Sequence, residues 1–438
     1  MASAALHHPS FSELVRVSAR IGWLSFGGPV GQIALMHREL VDERRWVSED
    51  DYLQALNLCH LLPGPEAQQL AIWIGWKHQG WAGGLVAGTL FVIPGAMVML
   101  ALSMLYAFAA DLKWFAALFL GIKAAVLAII AQALLRIAGR ALKTAFQRVL
   151  AVIAFVALFL FNTPFPLVVL TALALGAWVG ARKPDLLALK ASSPPEETCS
   201  RPWSASFKAV FVWLAIWAAP MVAVLVLLGR DHVLWHIGAF FSQLAVVSFG
   251  GAYAVLAYMA QEAVNGSGWL SAREMADGLG LAETTPGPLI MVTQFVGYLA
   301  AFRAPAPFTP LVAGILGAML TTWVTFAPCF LWIFAFAPWM DRLQRAPALK
   351  GGLAAVTAAV VGVIANLALW FALHVLFARV AVVEAWPLRL QVPDLTSFDW
   401  RAALIALVAL LLIFRAKWGI VVTLGVTAFA GLALGALS

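Results

Sequence analysis

From Gly83 to Phe108 the chain carries no charged residue, and that run already decides the solvent in which it folds. Comparable apolar stretches follow at Trp114–Leu135, Leu150–Phe161, Phe207–Leu228, Pro310–Phe336, Gly351–Leu376 and Ala402–Phe414. Several reach the roughly 20 residues that a helix needs to cross a bilayer. Only 11% of residues are charged, whereas a soluble protein carries about a quarter. The pattern predicts an all-α polytopic membrane protein, with the lipid bilayer as its main partner. The start shows no basic region followed by an apolar run, so no cleavable signal peptide is expected.

A second feature is duplication. Residues 25–65 align without gaps onto 248–288 at a constant offset of 223. Ser25, Phe26, Gly27, Gly28, Glu39, Trp46, Ser48, Pro63, Gly64 and Pro65 recur identically in the later copy. More weakly, residues 121–136 echo 351–366. Such self-similarity marks homologous halves. The expected organisation is a first repeat over 1–181, a linker with one added span over 182–231, and a second repeat over 232–438. Residues 181–208, rich in Pro, Ser and basic side chains, read as an exposed linker.

Lys and Arg bias orients the spans. The loop with Arg136, Arg140, Lys143 and Arg148 is expected in the cytoplasm, as are residues 341–350 and 415–417. The loop holding Glu384, Asp394 and Asp399 is expected outside. Followed through, the bias runs Gly83–Phe108 outward and Pro310–Phe336 inward, and the unmatched span 207–228 supplies the inversion. Inverted repeats of this kind build many secondary transporters, with the substrate near the midplane at broken helices.

Each repeat is interrupted twice. The first break is "SFGGP" at 25–29 and "SFGGA" at 248–252, read as a re-entrant hairpin or a span broken at the glycines. Free N–H groups of Phe26, Gly27, Gly28, Phe249, Gly250 and Gly251 would face an anion with the positive end of a helix dipole, and Pro29 suits a first helical turn. The plain alternative is tight helix crossing. The second break is Pro63-Gly64-Pro65 and Pro286-Gly287-Pro288, where one helix ends and another opens. Gln68, Gln69, Thr284 and Thr285 offer neutral donors there. Glu66 fits either a proton-coupling site or a carboxylate stabilised by its helix dipole.

Ser48 and Ser271 stand three residues before Asp51 and Glu274, as helix caps do, and Trp46 and Trp269 are expected at the membrane interface. Lys123 lies inside an apolar span, where a charge needs a cavity or a partner; anion contact and snorkelling both remain open for it. Glu39 and Glu262 recur after each glycine break and are candidates for coupling or gating, or for locking the break through a base such as Arg38. Cys59, Cys199 and Cys329 have no metal-ligand spacing. Nothing forms a catalytic constellation or a phosphate-binding loop, so no enzyme activity, cofactor, metal or nucleic acid is expected. Oligomeric state, including a homodimer, stays open.

Residues 26–76, with "FGGPVGQIALMHREL" and "LLPGPEAQQLAIWIGW", followed by 83–106, resemble the amino-terminal domain of the chromate ion transporter family. Residues 248–259 and 269–302, with "TTPGPLIMVTQFVGYLAAF", resemble its carboxy-terminal domain. The resemblance covers both halves and implies export of chromate from the bacterial cytoplasm and chromate resistance. It places the family's motifs on Phe26–Pro29, Pro63–Glu66, Phe249–Gly251 and Thr285–Pro288, and Lys123 in a stretch typical of the family. A sulfate or general oxyanion carrier is the alternative, since the two ions share charge and tetrahedral shape; an anion channel is a third reading.

Overall fold

The computed structural model describes residues 7–109, 112–189, 203–249, 252–340, 343, 346–386 and 388–436. Among these, six helices are long and apolar enough to cross a membrane: Glu66–Ala109, Lys113–Ala141, Phe165–Arg182, Ser206–Leu228, Pro310–Trp339 and Pro347–Leu376. Shorter apolar helices span Ala145–Phe161, Val233–Val247, Leu289–Arg303 and Ile420–Gly435. The protein is therefore an all-α polytopic membrane protein, to which a single two-stranded hairpin is added among the described residues.

The chain folds as two compact units, each drawn from three separated segments. The first comprises Met1–Ala101, Ser192–Ala252 and Thr285–Ala346; the second comprises Leu102–Ala191, Tyr253–Thr284 and Pro347–Ser438. Both units thus take residues from either side of the linker.

In the first unit, both repeats use the same local plan after their Pro-Gly-Pro. A short helix opens, the chain turns back, and a long helix returns along it. In the first repeat the turn is at Gln79 and Gly80, where left-handed backbone at Gly80 (φ 59°) interrupts Glu66–Ala109. Gly75 and Gly83 then lie so close that a Cβ on either would meet the other's backbone. In the second repeat Val292–Arg303 packs on Pro310–Phe336. Phe334 stacks on Trp81 at 4.8 Å, joining the long helices of the two repeats. The added helix Trp203–Leu228 lays Trp213 against Phe330 at 5.0 Å.

Trp46 is also part of this core. It is 2% exposed and meets the His78 ring edge-on.

The second unit is centred on Lys113–Ala141, which touches Ala272–Thr284, Pro347–Leu376, Trp400–Leu410 and Ile420–Ala436. Pro347–Leu376 also packs against Ala145–Phe161 and Phe165–Arg182. Small residues permit these crossings, because lipid offers helices no hydrophobic reason to associate and van der Waals contact must supply it. The loop with Glu384 forms the antiparallel hairpin Val380–Ala385 and Leu388–Pro393, with Glu384 opposite Arg389. Short alternation of Val with other residues in this segment carries a strand signal beside much stronger helical ones.

A Cβ on Gly176 would lie 2.5 Å from the Gly351 carbonyl oxygen. Gly176→Leu should force these helices apart and cost about 3 kcal/mol or more, read as a lowered unfolding midpoint of the purified protein in detergent.

Candidate functional site

The two serines that begin the glycine breaks adopt one conformation. Ser25 has φ −77° and ψ 68°, and Ser248 has φ −79° and ψ 64°. Each is the centre of a three-residue turn: the Phe26 N–H donates to Leu24 O and the Phe249 N–H to Val247 O, both at 2.9 Å. Each serine hydroxyl donates back into the preceding helix, Ser25 to Ile21 O at 2.6 Å and Ser248 to Ala245 O at 2.9 Å. The turn ends Phe11–Leu24 and Val233–Val247, and the chain restarts as Gly28–His37 and Ala252–Gln261. Gly27 and Gly28 have φ of 85° and 68°, a region that a side chain enters only at a cost. Gly250 and Gly251 lie outside the described residues.

The turns leave two serine carbonyls without helical partners, and the Pro-Gly-Pro segments supply them. The Gly287 N–H donates to Ser25 O at 2.8 Å, and the Gly64 N–H donates to Ser248 O at 3.0 Å. The offset of 223 carries one bond onto the other. Each glycine break is thus closed by the proline break of the opposite repeat, inside the first unit. Gly64 and Gly287 hold φ of 113° and 86° to present these amides. Gln32 adds a third contact, Nε2 to Gly287 O at 2.5 Å. The glycine amides of Pro-Gly-Pro are therefore engaged with protein carbonyls.

Around this clasp Pro63, Pro286, Gly287 and Pro288 are buried, Pro29, Pro65 and Phe249 are half-buried, and Phe26 is exposed. Glu66 is buried at the start of its helix, with His60 Nδ1 3.8 Å away. Gln68 and Gln69 are fully buried. Gln69 donates to Pro63 O at 2.6 Å, and Gln68 makes only a long bond to Phe326 O at 3.4 Å. Among the described residues neither side-chain carbonyl has a hydrogen-bond partner, and nor does that of Gln294. Gln68 and Gln294 line one cavity of about 520 Å³ whose remaining wall is mostly apolar. Gln294 escapes sequence reasoning because it falls about one turn later after its Pro-Gly-Pro than Gln68 does. Its signal is a lone amide in an otherwise apolar run. Thr285 is buried.

The charged residues named from sequence find partners within their own units. In the first, Glu39 is buried and pairs with Arg44 and, at 3.5 Å, with Arg20, while Arg38 meets Glu43 instead. In the second, Glu262 accepts from the Ser267 hydroxyl at 2.9 Å. Both glutamates sit in π-helical turns, Arg38–Glu43 and Glu262–Gly266. Ser48 and Ser271 cap their helices as expected.

Lys123, buried in the second unit, lies 3.1 Å from Asp277 Oδ1, and Asp277 Oδ2 accepts from the Tyr106 hydroxyl at 2.7 Å. Glu283 accepts from Tyr253 at 3.0 Å, and Thr284 donates to Leu281 O at 2.8 Å. Asp277 and Glu283 are the acids in the apolar run around the second Pro-Gly-Pro. That isolation among uncharged residues is the signal by which the sequence could have pointed to them.

Two outcomes follow. Gly287→Ala, or Gly64→Ala, should each cost about 1–3 kcal/mol through backbone strain, with similar falls in unfolding midpoint because the bonds are equivalent. Asp277→Asn should cost about 3–5 kcal/mol by leaving Lys123 buried and unpaired, and the double variant Lys123→Met with Asp277→Leu should recover most of that loss in the same measurement.

The family profile described as chromate transporter matches residues 12–177 and 235–432. The chain is 30% identical over 399 residues to a probable chromate transport protein of Synechococcus elongatus, covering 88% of this chain and 93% of that one. It is 30% identical to a chromate transport protein of Cupriavidus metallidurans over 80% of each chain. It is 32% identical to one of Pseudomonas aeruginosa, over 81% of this chain and 79% of that one. No solved structure matches. By both the family profile and these relatives, the chain belongs to the chromate transporter family.

Proposed function

We propose that this chain exports chromate from the cytoplasm across the bacterial inner membrane, confers chromate resistance, and works by alternating access at the interface of two inverted repeats. The reciprocal bonds Gly64–Ser248 and Gly287–Ser25 carry this reading. They join the broken helices of the two repeats through equivalent contacts, so that loosening one and tightening the other exchanges two states of similar energy. The names of the relatives support chromate as the ion.

The proposed oxyanion contacts in the first unit are Gln68 and Gln69, with buried Thr285 of the same unit as a further candidate and Phe26–Pro29 and Pro63–Glu66 shaping the break. The 3.4 Å bond of Gln68 to Phe326 O lies beyond the usual range for a strong N–H···O bond, so its amide yields readily to a better acceptor. Neutral donors suit a dianion that must be released. Thr284 and Lys123 belong to the second unit, where Asp277 already balances the lysine, and they are not assigned to this set. Glu39, held by two arginines, is assigned a locking role at its break.

The driving force is compatible with uncoupled efflux. With the cell interior negative, one charge crossing 100 mV is worth about 2.3 kcal/mol, so an exported dianion gains roughly twice that.

Everted membrane vesicles test the reading. Chromate should accumulate in the lumen with saturable kinetics, compete with sulfate, and accelerate under a lumen-positive potential. Gln68→Leu should raise the KM for chromate by about tenfold while the protein remains folded. Flux that never saturates, or single-channel current, would replace the carrier with a pore.

A further inference from the structure

The second unit contains a polar pocket that the proposed transport pathway does not use. It lies beneath the β-hairpin, where Asn162, Gln261, Asn265, Asn366, Arg389 and Gln391 converge over a floor that includes Trp370. Its volume is about 50 Å³, several times what one water molecule requires. Five of these six polar side chains are amides and the sixth is a guanidinium; among the described residues no carboxylate lines the wall. Such a set offers many donors and one fixed positive charge, which is the chemistry that recognises a small oxyanion.

The surrounding contacts hold these donors in place. Asn162 ends Ala145–Phe161 in left-handed backbone (φ 47°), a conformation that asparagine tolerates better than most residues. Its side-chain oxygen accepts from Gln261 Nε2 at 2.6 Å, which fixes the amide so that its own NH₂ group remains to donate. Arg389 meets Glu384 across the hairpin through Nε at 3.1 Å, leaving the two Nη groups for another acceptor. The other nearby acid, Glu262, is turned into its own loop by Ser267.

We propose that this pocket is an oxyanion-binding site of the second unit, separate from the clasp in the first, which holds one tetrahedral dianion through Arg389, Asn366, Gln391 and Asn162. Under the orientation set by the charge bias, the hairpin faces outward, and the pocket is then a station on the release side. That placement rests on the export reading; the existence of the site does not.

Sulfate titration of the full-length protein in detergent, followed calorimetrically, tests the site. Arg389→Gln should weaken an oxyanion-binding step at least about tenfold, Asn366→Leu should weaken the same step, and Arg389→Lys should restore part of it. Thermal unfolding checks that each variant is folded. If Arg389→Gln and Asn366→Leu, both folded, bind sulfate as the unaltered protein does, the proposal is overturned. If Arg389-dependent binding is present but vesicles show no chromate flux, the export reading fails and the site stands. If flux is intact and Arg389-dependent binding is absent, the site fails and the export reading stands.

Discussion

A backbone carbonyl buried away from water must be paired, and a helix that breaks inside a membrane protein leaves carbonyls that its own ladder cannot reach. The rest of the first unit depends on how Ser25 and Ser248 meet that requirement. Each accepts from a glycine amide of the opposite repeat, and those amides are presented only because the glycine lies between two prolines and adopts positive φ. Proline supplies the stop and the restart, glycine the direction of the N–H, and serine the compact turn. The short helices on either side are held at their ends as well as along their faces. A broken helix thereby keeps the carbonyl at its break paired.

The sequence made part of this readable. Duplication with a constant offset located the four breaks, and long apolar runs located the spans, because both signals are local and repeated. The capping serines were equally legible, since a cap involves residues three apart. The pairing of each "SFGG" with the distant Pro-Gly-Pro was not, because nothing local distinguishes cross-closure from closure within a repeat. Lys123 was recognised as a charge in need of a partner, but Asp277 lies far along the chain and close only after folding. The division into interleaved units also had no local signature.

The two units treat charge differently. In the first, the buried region around the clasp is largely neutral, with amides, hydroxyls and backbone dipoles, and Glu39 is closed off by arginines. In the second, a buried lysine and aspartate form a pair supported by tyrosine. Burying such a pair is costly in desolvation and returns the cost only when the geometry is maintained. It fixes the relation between Lys113–Ala141 and Ala272–Thr284 more firmly than apolar contact alone would. Neutral dipoles provide weak, reversible contacts, whereas a buried ion pair provides a fixed reference.

The interleaving of segments also sets a schedule for biosynthesis. The carbonyl of Ser25 emerges from the ribosome 262 residues before the Gly287 amide that will pair with it. At ordinary elongation rates that interval is on the order of tens of seconds. During it the Ser25 carbonyl lacks the amide partner that it has in the folded protein. Neither compact unit has all of its segments until synthesis has passed residue 346. The nascent chain must be kept from settling into closures within the first repeat, and insertion of this protein is consequently a problem of waiting as much as of topology.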